Sequence, residues 1–259
     1  MPGLEDDLKL LEASVREAGE IARKFFGTDY KRWSKSGGSP VTEADLAIDK
    51  FLRETLTAAR PGYGWLSEES ADNPARLTKR HIFVVDPIDG TIAFLKGRPH
   101  FTICAAVVEG DRPVAGVVLN PMSEELYAAQ AGGGASRNGA AIQVSTRTAL
   151  EGCAMLGDRS KLSEPPWPAM HVQTRNSVAL RLALVADGSA DATVSLSAKR
   201  DWDLAAADII VREAGGRVSD LSGAPLRYNG PEAIQPGLIA AGPGLHTEIV
   251  SLIARNATT

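Results

Sequence analysis

The sequence is poor in cysteine, with two among its 259 residues, Cys104 and Cys153. Two isolated thiols that form no C-x-x-C pair cannot build a disulfide framework, so a small secreted disulfide scaffold is excluded. The first residues include Glu5, Asp6 and Asp7, whereas a secretory signal begins with basic residues. We therefore expect buried, reduced thiols and a cytoplasmic location.

The sequence also lacks long apolar runs and an excess of basic residues. No stretch approaches the roughly 18 consecutive apolar residues of a membrane-spanning helix, so we expect no insertion into a membrane. The 28 basic and 32 acidic residues give a formal net charge of −4. Because phosphate backbones and anionic lipids repel a net anion, we expect neither a nucleic-acid polymer nor a membrane surface as a partner.

Several well-defined catalytic motifs are missing as well. There is no Gly-Lys pair, which excludes a P-loop, and Arg137 stands where a dinucleotide fingerprint beginning at Gly132 would need glycine. Neither the H-E-x-x-H motif of zinc proteases nor the G-x-S-x-G motif of serine hydrolases occurs. The chemistry of an active site must therefore come from other residue types, and carboxylates are the first candidates.

Composition and periodicity indicate a globular chain that mixes helices and strands. Hydrophobic residues make up 44% and charged residues 23%, which is typical of a folded domain. Apolar residues spaced by three and four predict helices at about 8–25, 42–59, 177–186, 203–214 and 245–255. Short apolar runs between turn residues predict strands at 64–66, 82–85, 101–109, 113–119, 125–130, 191–196, 217–219 and 238–241.

The pattern of elements changes near residues 140–150, where sheet-like segments give way to alternating helices and strands. We therefore predict an N-terminal part at 1–145 and a C-terminal part at 146–259, within one compact unit whose active site lies between them. The segment 35–40 is rich in glycine and serine, and it is predicted to form a loop.

The segment Asp86-Pro87-Ile88-Asp89-Gly90-Thr91 follows four apolar residues, so it lies at the carboxyl end of a buried strand, where ligands commonly bind. Proline holds Asp86 in an extended conformation, and the two carboxylates can then turn towards one point with the Ile88 carbonyl between them. Gly90 permits close approach of a ligand, and Thr91 supplies a hydroxyl. Such hard oxygen donors suit Mg²⁺ rather than zinc. A purely structural turn is the alternative.

Three further acidic residues are placed unlike ordinary surface residues. Asp45 begins the second predicted helix on the face that packs inward. Glu68 is the first acid of a pair that follows a short strand, and Asp203 follows Trp202 at the start of a helix. Each also has an ordinary structural explanation, namely a favourable charge at a helix start for Asp45, a charged loop for Glu68 and an N-cap for Asp203.

Taken together, these pieces resemble the inositol monophosphatase family of metal-dependent phosphatases. The matching segments keep the family's order and spacing over nearly the whole chain, and they are 39–45 (SPVTEAD), 67–70 (SEES), 86–91 (DPIDGT), 202–203 (WD) and 213–216 (EAGG). The resemblance implies an α+β fold, a layered αβαβα sandwich like that of inositol monophosphatase and fructose-1,6-bisphosphatase. It also implies a homodimer and inhibition by lithium.

The resemblance implies a role for each matching residue. The implied ligands of two or three Mg²⁺ ions are Glu68, Asp86, the Ile88 carbonyl, Asp89 and Asp203. Asp45 and Thr91, assisted by Glu68, would position and deprotonate the attacking water. The amides of Gly90 and Thr91 would hold phosphate oxygens, and Asp203 would also contact the substrate. The implied reaction is in-line attack of metal-activated water on a small phosphate monoester.

The charge of this ligand set independently requires cations. Four carboxylates in one cleft bring four negative charges, which is prohibitive unless cations are bound there. Two Mg²⁺ ions would cancel that charge, and a third ion or oriented amides would offset the charge of a bound phosphate. The sequence therefore predicts a Mg²⁺-dependent phosphomonoesterase that acts on a small phosphorylated substrate.

Three departures from the inositol-selective branch suggest a nucleotide substrate. Leu196 stands where that branch commonly has a polyol-binding glutamate, and Ser67 stands where it has glycine. Lys199 and Arg200 precede the Trp-Asp motif, where positive charge would meet a second phosphate. We therefore predict a 3′(2′),5′-bisphosphate nucleotidase that converts 3′-phosphoadenosine 5′-phosphate to AMP and phosphate, with Lys199 and Arg200 among the substrate-binding residues.

Other interpretations stay open at this point. Lys199 and Arg200 are equally explained as a solvated pair in a loop. Inositol-1-phosphate is the second candidate substrate, followed by histidinol phosphate and fructose 1,6-bisphosphate. A regulatory binding protein that retains the fold without turnover is the alternative from another functional class.

Overall fold

The computed structural model describes residues 3–34 and 40–256. The helices are α1 (Leu4–Phe25), α2 (Glu43–Ala59), α3 (Thr91–Leu95), α4 (Arg159–Leu162), α5 (Val178–Ala186), α6 (Asp201–Glu213) and α7 (Pro243–Asn256). Most of the predicted loop at 35–40, and Ser39 of the segment 39–45, lie outside the described residues. The described part of that segment begins at Pro40, which is the first residue of a strand.

Two large sheets contain most of the strands. The strands of the seven-stranded sheet, in spatial order, are β3 (Gly64–Ser67), β4 (His81–Asp89), β5 (Thr102–Glu109), β6 (Arg112–Asn120), β7 (Glu125–Gln130), β8 (Gly134–Arg137) and β9 (Ala140–Ala141). Strands β3 and β4 are parallel, and the other neighbours are antiparallel. The hairpin predicted at 101–119 is confirmed as β5 and β6, which are joined by Gly110 and Asp111.

The five-stranded sheet is mixed. Its strands, in spatial order, are β11 (His171–Gln173), β10 (Ala154–Gly157), β12 (Ala192–Ser195), β16 (Leu238–Ala241) and β14 (Arg217–Ser219). Strand β10 runs parallel to β11 and β12, whereas β16 is antiparallel to β12 and β14. Two small antiparallel ribbons pair β1 (Arg32–Ser34) with β2 (Pro40–Thr42), and β13 (Lys199–Arg200) with β15 (Ile234–Gln235).

Helices cover both faces of the seven-stranded sheet. Phe83 and Val85 of β4 pack in a core formed with α1 and α2. Ile82 and Val84 of the same strand pack in a second core that contains α5 and α6. Alternate residues of a strand face opposite sides of the sheet, so the continuous apolar run at 82–85 reflects a strand that is buried on both faces.

The second core also includes one face of the five-stranded sheet. Leu238 and Ala240 of β16 pack with α5 and α6, whereas Ile239 and Ala241 pack on the far face with α7. The layers therefore follow in the order α1 and α2, seven-stranded sheet, α5 and α6, five-stranded sheet, α7. This confirms the predicted α+β fold and αβαβα sandwich, while the division of the chain at residue 145 stays a prediction.

Gly116 lets α6 pack closely on the seven-stranded sheet. A Cβ atom at Gly116 would lie 2.5 Å from the Ala206 carbonyl oxygen and 2.9 Å from the Ala206 Cα atom. Both contacts are shorter than atoms tolerate, and the obstacle is backbone that cannot move aside. Glycine on β6 and the alanine run on α6 therefore set how close the helix comes to the ends of β4 and β5.

Helix α6 begins two residues earlier than predicted. Its first residue is the buried Asp201, whose carboxylate accepts hydrogen bonds from the Asn229 amide at 2.7 Å and from the Gln235 side chain at 2.7 Å. Asp203 is the third helical residue, and its Oδ2 accepts a hydrogen bond from the Arg200 amide at 2.9 Å. The prediction that Asp203 is the N-cap is therefore wrong, because the chain turns into the helix at Arg200.

Both cysteines are free and buried, as predicted. Within residues 3–34 and 40–256, no helix combines the length and the apolar character that crossing a membrane requires.

Candidate active site

Asp86 and Asp89 point towards one place because β4 carries an extra residue between them. In the ladder with β5, Asp86 pairs with Cys104 and Asp89 pairs with Thr102. An advance of three residues along β4 is therefore matched by an advance of two residues along β5. Residues three apart face opposite sides of a regular strand, and this bulge brings both carboxylates to the same side. Pro87 lies within the bulge, where its missing N–H costs no ladder hydrogen bond.

Asp203 joins these two carboxylates from a distant part of the chain. One carboxylate oxygen from each of Asp86, Asp89 and Asp203 can be chosen so that all three lie within 4.8 Å of one another. Asp86 and Asp89 are buried, and Asp203 keeps partial exposure. The first turn of α6 therefore faces the end of β4, which is the juxtaposition that the sequence motifs implied.

The N-terminus of α5 holds one oxygen of Asp89. Asp89 Oδ2 accepts a hydrogen bond from the Ser177 hydroxyl at 2.6 Å and another from the Ala179 amide at 2.6 Å. Ser177 Oγ also accepts a hydrogen bond from the Leu180 amide at 2.9 Å, so Ser177 is the N-cap of α5. The two donors to Asp89 favour the ionised carboxylate, and neither of them uses Oδ1.

A cleft of about 200 Å³ opens over the cluster. Its lining residues are Pro40, Glu68, Asp86, Ile88, Asp89, Gly90, Thr91, Ile92, Asn176 and Asp203. The structure thus brings together every residue that the resemblance implied as a metal ligand. Asn176 was not identified from the sequence, although its place directly before the Ser177 N-cap of α5 could have suggested it.

Gly90 occupies a position that other residues would strain. Its φ angle is 97°, in the left-handed region, and a Cβ atom there would lie 3.1 Å from the His100 carbonyl oxygen and 3.2 Å from the Ser177 amide nitrogen. The backbone therefore turns sharply between β4 and α3. Thr91 begins α3, and its hydroxyl donates a hydrogen bond to the Ile88 carbonyl at 3.1 Å.

Asp45 has one oxygen held and one oxygen without a partner. Asp45 Oδ2 accepts hydrogen bonds from both the amide and the hydroxyl of Thr42, which is the N-cap of α2. Asp45 Oδ1 is buried and has no hydrogen-bond partner in the described part of the chain. Burial raises the pKa of Asp45 to about 6, and the charge of Glu68 acts in the same direction. Such a carboxylate is suited to accept a proton.

The acidic cluster fits a hard divalent cation. Burial is the main cause that raises the pKa values of Asp86, Asp89 and Asp203, and repulsion among the carboxylates adds to it for Asp86 and Asp203. All donors are oxygen atoms, which Mg²⁺ prefers. Bound cations would remove the repulsion and make the ionised carboxylates favourable. Asp45, whose charge contributes to the raised pKa of Asp86, adds a buried Oδ1 that has no partner in the described part of the chain.

Without metal, the protein is expected to lose stability as the pH rises. Burial raises the pKa of Asp45 from 3.8 to about 6 and that of Asp203 from 3.8 to about 7. Between about pH 4 and about pH 7 the folded state therefore binds more protons than the unfolded state, so the free energy of unfolding falls as the pH rises. Mg²⁺ favours the ionised carboxylates, so it should raise the melting temperature more at pH 8 than at pH 5.

Thermal unfolding in EDTA and in MgCl₂, at both pH values, measures this effect. The variant Asp203→Asn removes one carboxyl group whose pKa is raised in the folded state. Without metal, the stability of this variant should therefore depend less on pH than that of the wild type. An equal increase in melting temperature with Mg²⁺ at pH 5 and pH 8 would contradict the expectation.

Lys199 and Arg200 have different surroundings, although they are neighbours in β13. The Lys199 ammonium donates hydrogen bonds to the Ser197 hydroxyl at 3.0 Å and the Ala198 carbonyl at 3.1 Å, and its charge interacts with that of Asp203. The Arg200 guanidinium donates a hydrogen bond to the Glu232 carbonyl at 2.9 Å, and it lies 5.7 Å from the centre of the Trp202 ring. Neither side chain lines the cleft, and their roles in substrate binding stay predictions.

One protein family shares this fold and these motifs. A sequence model described as the inositol monophosphatase family matches residues 4–257. The chain belongs to the inositol monophosphatase family. Members of this family are metal-dependent phosphatases, and the Asp86, Asp89 and Asp203 cluster is a set of residues that could hold a metal ion.

Inositol monophosphatase family proteins with different names are similar to this chain. It is 34% identical over 252 residues to an inositol-1-monophosphatase of Mesorhizobium japonicum, covering 90% of each chain. It is 32% identical over 245 residues to the 3′(2′),5′-bisphosphate nucleotidase CysQ of Aggregatibacter actinomycetemcomitans, covering 87% of this chain and 88% of that one. The solved structure of Thermotoga maritima IMPase has a TM-score of 0.85 at 28% identity, over 98% of each chain.

Further relatives extend the range of names within the inositol monophosphatase family. A histidinol-phosphatase of Mycobacterium tuberculosis is 35% identical, over 95% of this chain and 97% of its own. A protein named Nus factor SuhB, from Xylella fastidiosa, is also 35% identical, over 84% of each chain. The family of the chain is therefore established, and identity to these relatives does not select one substrate.

Proposed function

We propose that this protein is a Mg²⁺-dependent phosphatase of small phosphate monoesters and that its preferred substrate is 3′-phosphoadenosine 5′-phosphate. The observation that supports hydrolysis is the convergence of three aspartates beside a buried carboxylate with a free oxygen. Asp86, Asp89 and Asp203 approach within 4.8 Å, and Asp45 Oδ1 has no partner among the described residues. A protein that only binds a ligand has no need of a carboxylate that is ready to accept a proton.

The chain's own residues divide the work between metal binding and proton transfer. Glu68, Asp86, the Ile88 carbonyl, Asp89 and Asp203 would hold Mg²⁺, which supplies positive charge for phosphate oxygens and for activation of water. Asp45 Oδ1 accepts the proton of the attacking water, and the Thr91 hydroxyl helps to position that water. The amides of Gly90 and Thr91 hold phosphate oxygens at the turn into α3.

Two residues of the segment that precedes Asp203 support a nucleotide rather than an inositol substrate. Leu196 is apolar and exposed, so it cannot accept the hydroxyl hydrogen bonds of a polyol. The charge of Lys199 interacts with those of Asp203 and Asp89, which supports a role for this cation in binding a phosphorylated substrate. Ser67 adds no support, because its buried hydroxyl donates a hydrogen bond to Asp49.

Inositol-1-phosphate is the second candidate, because the Mesorhizobium japonicum relative carries that activity in its name at 34% identity. Histidinol phosphate has similar support from the Mycobacterium tuberculosis relative. A regulatory role without turnover is supported only by the name Nus factor of another relative. The homodimer, the cytoplasmic location and the inhibition by lithium stay predictions from the family resemblance.

A substrate panel in Mg²⁺ tests the proposed function. The compounds are 3′-phosphoadenosine 5′-phosphate, inositol-1-phosphate, histidinol phosphate and fructose 1,6-bisphosphate, and phosphate release gives kcat/KM for each. We expect the nucleotide to be preferred by about tenfold or more over inositol-1-phosphate and histidinol phosphate, because these monophosphates have no second phosphate for a charged subsite. A preference for inositol-1-phosphate would contradict the nucleotide assignment. Release from none of the four would contradict the enzyme assignment and favour a regulatory protein.

A further inference from the structure

A cavity of about 330 Å³ lies beside the second half of α6, away from the acidic cluster. The polar residues that line it are Arg112, Asp208, Arg212, Arg217, Ser219 and His246. None of its lining residues belongs to the active-site cleft. Asp203 and Arg212 are separated by about 14 Å along the axis of α6, at about 1.5 Å per residue. The volume lies within the range of about 300–1,000 Å³ that is typical of small-molecule sites.

The lining of this cavity carries more positive than negative charge. It includes three arginines, Arg112, Arg212 and Arg217, but only one carboxylate, that of Asp208. The lining therefore has an excess of two positive charges, whereas the whole chain has a formal net charge of −4. Such a local excess of one sign attracts ligands of the opposite sign.

The single carboxylate of the cavity is already engaged on both of its oxygens. Arg212 Nε lies 2.7 Å from Asp208 Oδ1, and the Tyr228 hydroxyl donates a hydrogen bond to Asp208 Oδ2 at 2.7 Å. Asp208 is buried, so the charge of Arg212 is needed to compensate it. This ion pair is locally neutral, and the excess positive charge of the cavity belongs to Arg112 and Arg217.

Arg112 and Arg217 have no carboxylate of their own. The Arg217 guanidinium donates a long hydrogen bond to the Thr247 hydroxyl at 3.5 Å, and no carboxylate of the described residues forms an ion pair with it. Arg112 Nε lies 3.8 Å from a carboxylate oxygen of Asp111, which also pairs with Arg227. Both arginines are exposed to solvent, so an anion can reach them.

His246 adds no counter-charge to the cavity. The Ser219 hydroxyl donates a hydrogen bond to the Asp220 carbonyl at 2.7 Å, so Ser219 Oγ accepts one from His246 Nε2 at 2.8 Å. Burial lowers the pKa of His246, and the charge of Arg217 acts in the same direction. The imidazole is therefore neutral near pH 8 and lies close enough to Arg217 to respond to an anion bound there.

We propose that this cavity is a second binding site of the protein, separate from the active site, and that Arg112 and Arg217 bind a phosphate dianion there. The dianion is either inorganic phosphate or the phosphate group of a small monoester. Its two negative charges match the two arginines that lack a carboxylate, and each planar guanidinium can offer two parallel N–H donors to phosphate oxygens. The site needs no metal ion, in contrast to the acidic cluster.

Titration with inorganic phosphate in EDTA, followed by NMR of the histidine rings at pH 8, tests the site. EDTA removes the cations that would hold phosphate at the acidic cluster, whose carboxylates then repel an anion. The chain has four histidines, His81, His100, His171 and His246, and of these His246 alone lines the cavity. We expect the His246 signal to shift and to saturate while the other three stay in place. Replacement of each of the other three by glutamine assigns the signals.

Variants of the two arginines identify the groups that bind the anion. Arg217→Met should raise the Kd for phosphate by about tenfold or more, as expected for loss of a charge-assisted hydrogen bond. Arg217→Lys keeps the charge and should restore most of the affinity. Arg112→Met, in a different strand, should raise the Kd in the same way and serves as the test if Arg217→Met does not fold. Arg53→Met removes an exposed arginine of α2 and should leave the Kd unchanged.

A parallel titration with AMP distinguishes the two sources of the phosphate group. If the His246 shift saturates at a lower concentration of AMP than of inorganic phosphate, the site binds a monoester, and the reverse order assigns it to free phosphate.

Three results would overturn the inference. They are a His246 signal that does not move, an equal shift with sodium chloride at the same ionic strength, and a Kd that both arginine variants leave unchanged. The experiment uses neither metal nor turnover, so its result does not depend on the proposed phosphatase activity. Failure of the substrate panel would likewise leave this site untouched.

Discussion

Replacing Asp89 with asparagine is expected to lower kcat/KM for the best substrate by about a thousandfold or more, which corresponds to about 4 kcal/mol of transition-state stabilisation. Asp89 Oδ2 accepts hydrogen bonds from the Ser177 hydroxyl and the Ala179 amide, and one oxygen of Asp89 belongs to the acidic cluster. An asparagine has one oxygen for these two tasks. Its NH₂ group would therefore face either the two donors or the metal ions.

Steady-state kinetics in saturating Mg²⁺ and calorimetric titration with Mg²⁺ measure the effect of Asp89→Asn. We expect both kcat/KM and the affinity for Mg²⁺ to fall. Asp220→Asn is a suitable control, because Asp220 accepts hydrogen bonds from Ser222 and Ala224 in an exposed turn. Loss of a charge-assisted interaction should cost far more than about a threefold decrease in kcat/KM. If kcat/KM of Asp89→Asn is within about threefold of the wild-type value, Asp89 is not a metal ligand.

Replacing Asp45 with asparagine is expected to lower kcat by about a hundred- to ten-thousandfold, which is the usual contribution of a general base. The asparagine oxygen can still accept the hydrogen bond from the Thr42 amide, so the start of α2 should persist. The NH₂ group would take the place of the buried, unpartnered Oδ1, and it cannot accept a proton. The affinity for Mg²⁺ should be retained, which distinguishes this variant from Asp89→Asn.

Asp49→Asn provides a matched comparison for Asp45→Asn. Asp49 lies one turn further along α2, it is buried, and it accepts hydrogen bonds from the hydroxyls of Ser67 and Ser70 at 2.5 Å. Its loss should reduce stability more than kcat. If the two variants reduce kcat equally, then Asp45 acts through the fold of α2 rather than as a base.

The spacing of apolar residues in the sequence predicted the positions of the longer helices and strands. Apolar spacing predicted α2 at 42–59, and the structure has Glu43–Ala59 with Thr42 as its N-cap. The β5 and β6 hairpin was equally clear, because two apolar runs flank a turn. Several strands of two to four residues, among them β8, β9 and β11, were not predicted, because so few residues carry no measurable periodicity.

The motif at 213–216 shows how a recognised pattern can have a structural role. Glu213 ends α6, and its two carboxylate oxygens accept hydrogen bonds from the amides of Gly132 and Gly134, each at 3.0 Å. It therefore holds the turn between β7 and β8 against the helix. Gly215 follows with a φ angle of 86°, which ends the helix in the left-handed conformation that glycine tolerates.

The sequence by itself determined which residue types are available for chemistry, where the long helices lie and how α2 and α5 begin. These properties depend on neighbours within a few residues, since periodicity and capping act over one or two turns. The 86–91 motif and its companion acids also carried the family resemblance.

Only the tertiary structure decided which of these residues meet and what charge each one has. The bulge in β4 turns Asp86 and Asp89 to one side, and the packing of α6 across Gly116 brings Asp203 beside them. The partners of Asp89 come from the start of α5. Contacts between distant segments depend on how whole layers pack, and desolvation within those layers then sets each pKa.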